Sequence, residues 1–166
     1  MAKKSLDAIE LLDADHRAVE ALFHDFRQLS QQQASGHERR ALAEQICLEL
    51  AIHMRLEEEI FYPRLREAVR EDDRLDQAAD EHAGAKELIA QILSMKPDAE
   101  LYDAKVTVLD EYIARHVREE REQMFPKARR CGLDLVLLSE QLGVRKRELQ
   151  AVPEALREDA LASVMA

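Results

Sequence analysis

Two stretches of this chain carry the same order of potential metal-binding side chains. HMRLEEEIFYPRLR begins at His53, and HVREEREQMFPKAR begins at His116. In each, a glutamate follows the histidine by four residues (Glu57 and Glu120), an aromatic by nine and a proline by ten. Residues i and i+4 are neighbours on one helix face, so each His/Glu pair can reach a single point. Two further histidines, His16 and His82, stand one ahead of each stretch. Imidazole nitrogens and carboxylate oxygens without a thiolate suit iron or manganese better than a structural zinc, which takes four ligands. No Ser/His/Asp or Cys/His set and no glycine-rich phosphate loop accompanies them.

The elements that must position these residues read as helices. Ile9, Leu12, His16, Val19, Phe23 and Phe26 recur at alternating steps of three and four, the spacing of a bundle seam. The second seam runs Leu42, Ile46, Leu50, His53, Glu57, Ile60; the third Leu75, Ala78, His82, Ala85, Ile89, Ile92; the fourth Tyr102, Val106, Leu109, Ile113, His116, Glu120, Met124. Ser5, Ser35 (with Glu38 three residues on), Asp72 or Asp73, and Asp98 are the expected caps. Pro63 and Pro126 should kink or end their helices. Short connections predict antiparallel neighbours, hence an all-α, up-down-up-down four-helix bundle over residues 1–130. At a rise of ~1.5 Å per residue, His16 and His53 lie roughly 21 and 24 Å from the turn joining their helices, nearly level. Residues 131–166 form an extension: LDLVLLSEQLG as a short helix on the bundle, the charged run RKREL, and a weak helix or disordered stretch from Pro153.

Composition narrows the function classes. The 166 residues carry a net charge of −10, 46% hydrophobic residues and no Trp. A duplex binder needs a basic face to displace counterions, so nucleic acid is not an expected partner, nor is anionic lipid. No stretch approaches the ~18 apolar residues of a membrane span, and the N-terminus does not read as a signal peptide. Cys47 and Cys131 stand alone, consistent with a reducing compartment; the expected location is cytoplasmic.

His16, His53, Glu57, His82, His116 and Glu120 all occupy seam positions where apolar side chains belong. An unpaired buried carboxylate or imidazole costs several kcal/mol, and a shared cation compensates all six at once. Two six-coordinate irons need about twelve ligand positions. Four imidazoles, two bridging carboxylates and one oxo or hydroxo bridge fill about ten, leaving about two for oxygen, nitric oxide, peroxide or water. Haem would leave Glu57 and Glu120 without a role.

DHR at Asp15–Arg17, HMRLEEEIFYP, DEH at Asp80–His82 and HVREEREQMFP resemble the hemerythrin-like, HHE cation-binding family over roughly residues 6–129. That resemblance implies a hemerythrin-like bundle around a non-haem di-iron centre. It makes His16, His53, His82 and His116 terminal ligands, with Glu57 and Glu120 bridging the metals. Two departures from oxygen-carrying hemerythrins stand out. Ala78 replaces a fifth histidine, and the last carboxylate comes four residues after its histidine (Glu120), with Arg121 at five. These point away from reversible oxygen carriage and toward iron- and redox-responsive members.

The expected function is therefore a di-iron protein that binds or senses a small diatomic molecule or peroxide, with manganese or zinc as alternative metals. Iron storage, delivery or iron-centre repair, and a purely structural metal, are the competing readings. Peroxidase-like or nitric-oxide-handling activity is compatible with the site but not required by it. Glu20 is either an additional ligand or an ion-pair partner of Lys86. Glu58, Glu59 and Glu122 read as solvated, and Glu81 as either solvated or reaching the metal. Glu49 or Tyr112 could hydrogen-bond a ligand histidine, and His24 and His37 read as surface residues.

Overall fold

The computed structural model describes residues 5–69 and 73–163. Helix α1 (Ala8–Gln31) opens at Asp7, whose carboxylate accepts from Glu10 N–H at 2.9 Å, so the cap is Asp7 and not Ser5. Ser35 caps α2 (Gly36–Leu56) through Glu38 N–H, as the capping pattern predicts. The same rod continues through a π-turn, Glu57–Phe61, into α3 (Tyr62–Ala68). Helix α4 covers Asp73–Ser94; Asp72, the other candidate cap, lies outside the described residues. Helix α5 (Tyr102–Glu119) begins after Leu101 without a side-chain cap, so Asp98 does not cap it. It too runs through a π-turn, Glu120–Met124, into α6 (Phe125–Arg130).

The hairpins α1/α2 and α4/α5 pack together through α2 against α4 and α1 against α5, closing the bundle. Helix α7 (Leu135–Gln150) lies on α1 and α2, and α8 (Pro153–Ala162) lies on α2 and α4. The RKREL run belongs to α7, and Pro153–Ala162 is helical. Gly132 takes φ +81 in the turn before α7, a conformation that favours glycine. Among the described residues there is no strand, and no helix is long and apolar enough to cross a membrane.

The seams form the core, with one systematic exception. Apolar residues divide into two clusters along the bundle. Leu12, Leu56, Leu75 and Met124 belong to one, and Val19, Ile46, Ala85 and Leu109 to the other. The seam histidines fall between them. Ile60 is only half-buried, while Phe61 and Tyr62 are buried in its place.

The cause is the π-turn. Tyr62 N–H bonds Glu57 C=O and Phe125 N–H bonds Glu120 C=O, five residues back instead of four. The extra residue shifts everything after it by one position around the axis. Pro63 and Pro126 follow at once. A proline ring clashes with the carbonyl four residues before it, and the wider turn gives that carbonyl room. The prolines therefore mark a register shift, and each helix continues past its proline.

Ile46 is fully buried in the cluster away from the π-turns. Ile46→Ala is expected to lower unfolding free energy by about 2–5 kcal/mol, measured by urea denaturation, with helical content retained in the absence of urea.

Candidate metal centre

The six seam residues converge at the boundary between the two apolar clusters, each 5% exposed or less. The imidazoles meet in pairs, His16 Nε2 to His53 Nε2 at 3.0 Å and His82 Nε2 to His116 Nε2 at 3.2 Å. Each glutamate touches both hairpins. Glu57 Oε1 lies 3.1 Å from His53 Nε2 and 3.4 Å from His82 Nε2. Glu120 Oε1 lies 3.0 Å from His116 Nε2 and 3.3 Å from His16 Nε2. Two overlapping donor sets result: His16, His53, Glu57 and Glu120; and Glu57, His82 and His116.

These donors fit a cation. Both oxygens of Glu57 and Oε1 of Glu120 are buried without a hydrogen bond. Facing Nε2 atoms can share one proton, but two neutral imidazoles with inward lone pairs repel. Cations between them would satisfy the lone pairs and the carboxylates together.

The outward nitrogen of every histidine faces a carboxylate. His16 Nδ1 lies 3.3 Å from Asp13, and His53 Nδ1 lies 3.1 Å from Asp15. His82 Nδ1 is 3.4 Å from Glu58 and His116 Nδ1 is 3.5 Å from Glu81, both in ion-pair range but off hydrogen-bond alignment. Such partners fix the tautomer that turns Nε2 inward. Asp15 and Glu81 hold equivalent places, each one residue before a seam histidine and each serving the histidine of the following helix. Glu58 and Glu81 are thus parts of the cluster's support, not solvated side chains, and His53 is held by Asp15, not Glu49. Tyr112 instead packs its hydroxyl over Gly84, where a Cβ would come within 2.3 Å of it.

Glu20 stays outside the cluster. Its Oε1 meets Arg121 at 2.9 Å on the surface, and Lys86 pairs with Glu58 at 2.5 Å, so the anticipated Glu20–Lys86 pair does not form. The two pairs are the same pair written with opposite signs: Glu20 and Lys86 each follow a seam histidine by four, and Arg121 and Glu58 each follow a seam glutamate by one. Arg121 also grips Asp13 at 2.6 Å. His24 and His37 are exposed.

Asp13, Asp15, Phe125 and above all Tyr62 are site residues without a role in the sequence reading. Ordinary helical rotation places Tyr62 opposite His53, and the π-turn brings it round. Its hydroxyl donates to Glu120 Oε2 at 3.3 Å and lies 3.4 Å from Nε2 of both His82 and His116. Phe125, its counterpart, stacks on His16 with ring centroids 5.7 Å apart. The aromatic nine residues after each histidine was the available signal.

Burial alone would lower the imidazolium pKa of His53. The charge of Glu57, the Asp15 bond and Glu120 outweigh burial and raise it from 6.5 to about 10. Against the same opposition from burial, Glu120 and Glu57 raise His116 to about 11. Glu57 resists its own burial and is held well below the carboxylate range, chiefly by His53. Burial, with Glu120 and Glu57 nearby, pushes the Tyr62 phenol well up.

A four-helix bundle with imidazoles and carboxylates gathered inside belongs to the class whose interior can hold metal. Residues 7–128 match the hemerythrin HHE cation binding domain, and the chain belongs to that family. A solved structure, the Rv2633c homolog from Mycobacterium kansasii, described as a hemerythrin HHE cation binding domain-containing protein, superposes with a TM-score of 0.75 at 22% identity. The match takes in 95% of this chain and 96% of that one. A "DNA nickase" of Nostoc sp. (strain PCC 7120 / SAG 25.82 / UTEX 2576) is 29% identical over 127 residues. That match covers 76% of this chain but only 35% of the relative's length.

In the metal-free protein His53 and His116 keep protons through neutral pH, whereas unfolded imidazole loses them near 6.5. The folded state then binds more protons, so stability contributed by these groups is present below about pH 6.5 and lost as pH rises through about 10. The urea midpoint of metal-free protein is expected to fall between pH 7 and roughly pH 9.5, and less so in His53→Gln. Equal pH dependence in both proteins would contradict this.

Proposed function

We propose that this chain holds two iron ions between His16, His53, His82 and His116, with Glu57 and Glu120 spanning the pair, and that it binds or senses a small diatomic molecule or peroxide there. The observation that carries the reading is the crossing of the glutamates: each stands within 3.4 Å of an imidazole from both hairpins, and both oxygens of Glu57 and Oε1 of Glu120 are buried without a hydrogen bond. A single structural ion would leave one of the two donor sets uncompensated.

Iron bound at such a site supplies one-electron redox chemistry and coordination positions open to a small ligand. The chain's own groups do the rest. Asp13, Asp15, Glu58 and Glu81 orient the imidazoles. Phe125 and the neighbouring leucines exclude water from the His16 side. Tyr62 can hold or give a proton at its hydroxyl beside Glu120 and His116. The cavity against the site is about 10 Å³; apolar side chains such as Val19, Leu50 and Ile113 line it together with the four histidines, Asp15, Glu81 and Tyr112. That is room for about one water-sized molecule, which favours a diatomic molecule or peroxide over a larger substrate.

Protein purified from iron-supplemented cells is expected to contain close to two irons per chain, with a visible spectrum that changes on exposure to oxygen, nitric oxide or peroxide. Absence of metal, or one inert zinc, would sink the reading. His53→Ala combined with His116→Ala is expected to lose the iron and keep the helical circular-dichroism signal. Tyr62→Phe is expected to keep both irons and alter the spectral response, since it removes a hydroxyl without opening the layer.

A further inference from the structure

We infer that Lys146, on extension helix α7, is a positioning residue for the His16/His53 half of the centre, acting through Asp15 on His53. The inference rests on the two-metal reading above. It gives a role to the RKREL run, which the bundle itself leaves unexplained.

The two halves of the centre are supported differently. His16 is backed by Asp13 and Arg121, and His82 by Glu58 and Lys86; in both chains of contact the cation comes from the bundle. Asp15 is different. One of its oxygens accepts from His53 Nδ1 at 3.1 Å, and the other meets Lys146 Nζ at 2.5 Å. That cation arrives from outside the four helices. The equivalent acid, Glu81, sits instead beside another carboxylate, Glu119.

Helix α7 is seated firmly enough to impose this geometry. Leu138, Leu142 and Leu149 are buried in the core. Arg145, the residue before Lys146, grips Glu59 at 2.7 and 3.3 Å, on the π-turn that also carries Glu57. Two consecutive cations therefore hold both helices of the first hairpin, one behind a histidine and one on the turn of a bridging glutamate. A metal-binding imidazole needs its proton on Nδ1 and its Nε2 lone pair inward. Asp15 fixes that state for His53, and Lys146 fixes Asp15 by occupying its second oxygen. Without the ammonium, this largely buried carboxylate is free to turn toward water and release the ring.

The test uses the full chain and iron(II) added anaerobically, in competition with a chromophoric chelator. His82→Ala leaves the His16/His53 half, and His16→Ala leaves the other. Lys146→Met is expected to weaken iron(II) binding about 10- to 100-fold in the His82→Ala background and to leave the His16→Ala background unchanged. Lys146→Arg should restore most of the loss. Circular-dichroism melts of the metal-free forms accompany each measurement. If a half-variant loses its helical signal, the comparison moves to the complete centre, where Lys146→Met should convert two tight equivalents into one tight and one weakened. No loss of affinity, tighter binding, or an equal loss in both backgrounds overturns the role of Lys146. Failure of the unaltered chain to take two irons overturns the two-metal reading itself.

Discussion

A buried layer of four imidazoles and two carboxylates divides the apolar core of this bundle, and the surrounding structure is arranged around the need to compensate it. Apolar packing on either side can seal such a layer from water but cannot neutralise it. In the metal-free chain the compensation is internal: His53 and His116 hold protons against Glu57 and Glu120, and the outward nitrogens lean on Asp13, Asp15, Glu58 and Glu81. The residual mismatch is visible in the unpartnered oxygens of Glu57 and Glu120. Those atoms mark where compensation from within the protein stops and a cation is called for.

The paired π-turns follow from the same constraint. A straight α-helix offers the site residues at i and i+4, and the next inward positions belong to the apolar cluster beyond. Adding one residue after Glu57 and after Glu120 turns a large aromatic onto the layer from each side. On one side Phe125 stacks against His16 and closes the layer with apolar surface. On the other, Tyr62 closes it with a hydroxyl that reaches Glu120. The prolines stabilise the wide turn by disfavouring the ordinary one, which is why they repeat with Glu57 and Glu120.

Much of this was legible in the sequence, for definite reasons. The seam histidines and Glu57 and Glu120 stand out because helical periodicity is local and a polar residue in an apolar stripe violates it. The capping role of Ser35 was readable for the same reason. Tyr62 was hidden because a register shift invalidates every facing assignment beyond it; Ile60, assigned to the seam, is half-buried as a result. Glu58 and Glu81 looked solvated because their partners sit on other helices, and rotation about one axis says nothing about a neighbour's reach. Glu20 looked inward because it follows His16 by one turn, as Lys86 follows His82, and only the three-dimensional arrangement shows that each has its own partner away from the inner cluster.

The sign reversal between Glu20–Arg121 and Lys86–Glu58 shows how a nearly two-fold site becomes unequal. Both pairs span the same positions, yet in one the anion follows the histidine and the cation follows the glutamate, and in the other the order is exchanged. Glu58 can therefore serve a histidine directly, whereas Arg121 must act through Asp13. The same inequality recurs at Tyr62 against Phe125, and at Asp15, braced by Lys146, against Glu81, crowded by Glu119. Each difference lies outside the inner six residues, so the donor atoms presented by the two halves are nearly alike while their support is not. A site built in this way lets the six inner donors stay symmetric and places the means of distinguishing its two halves in the layer behind them.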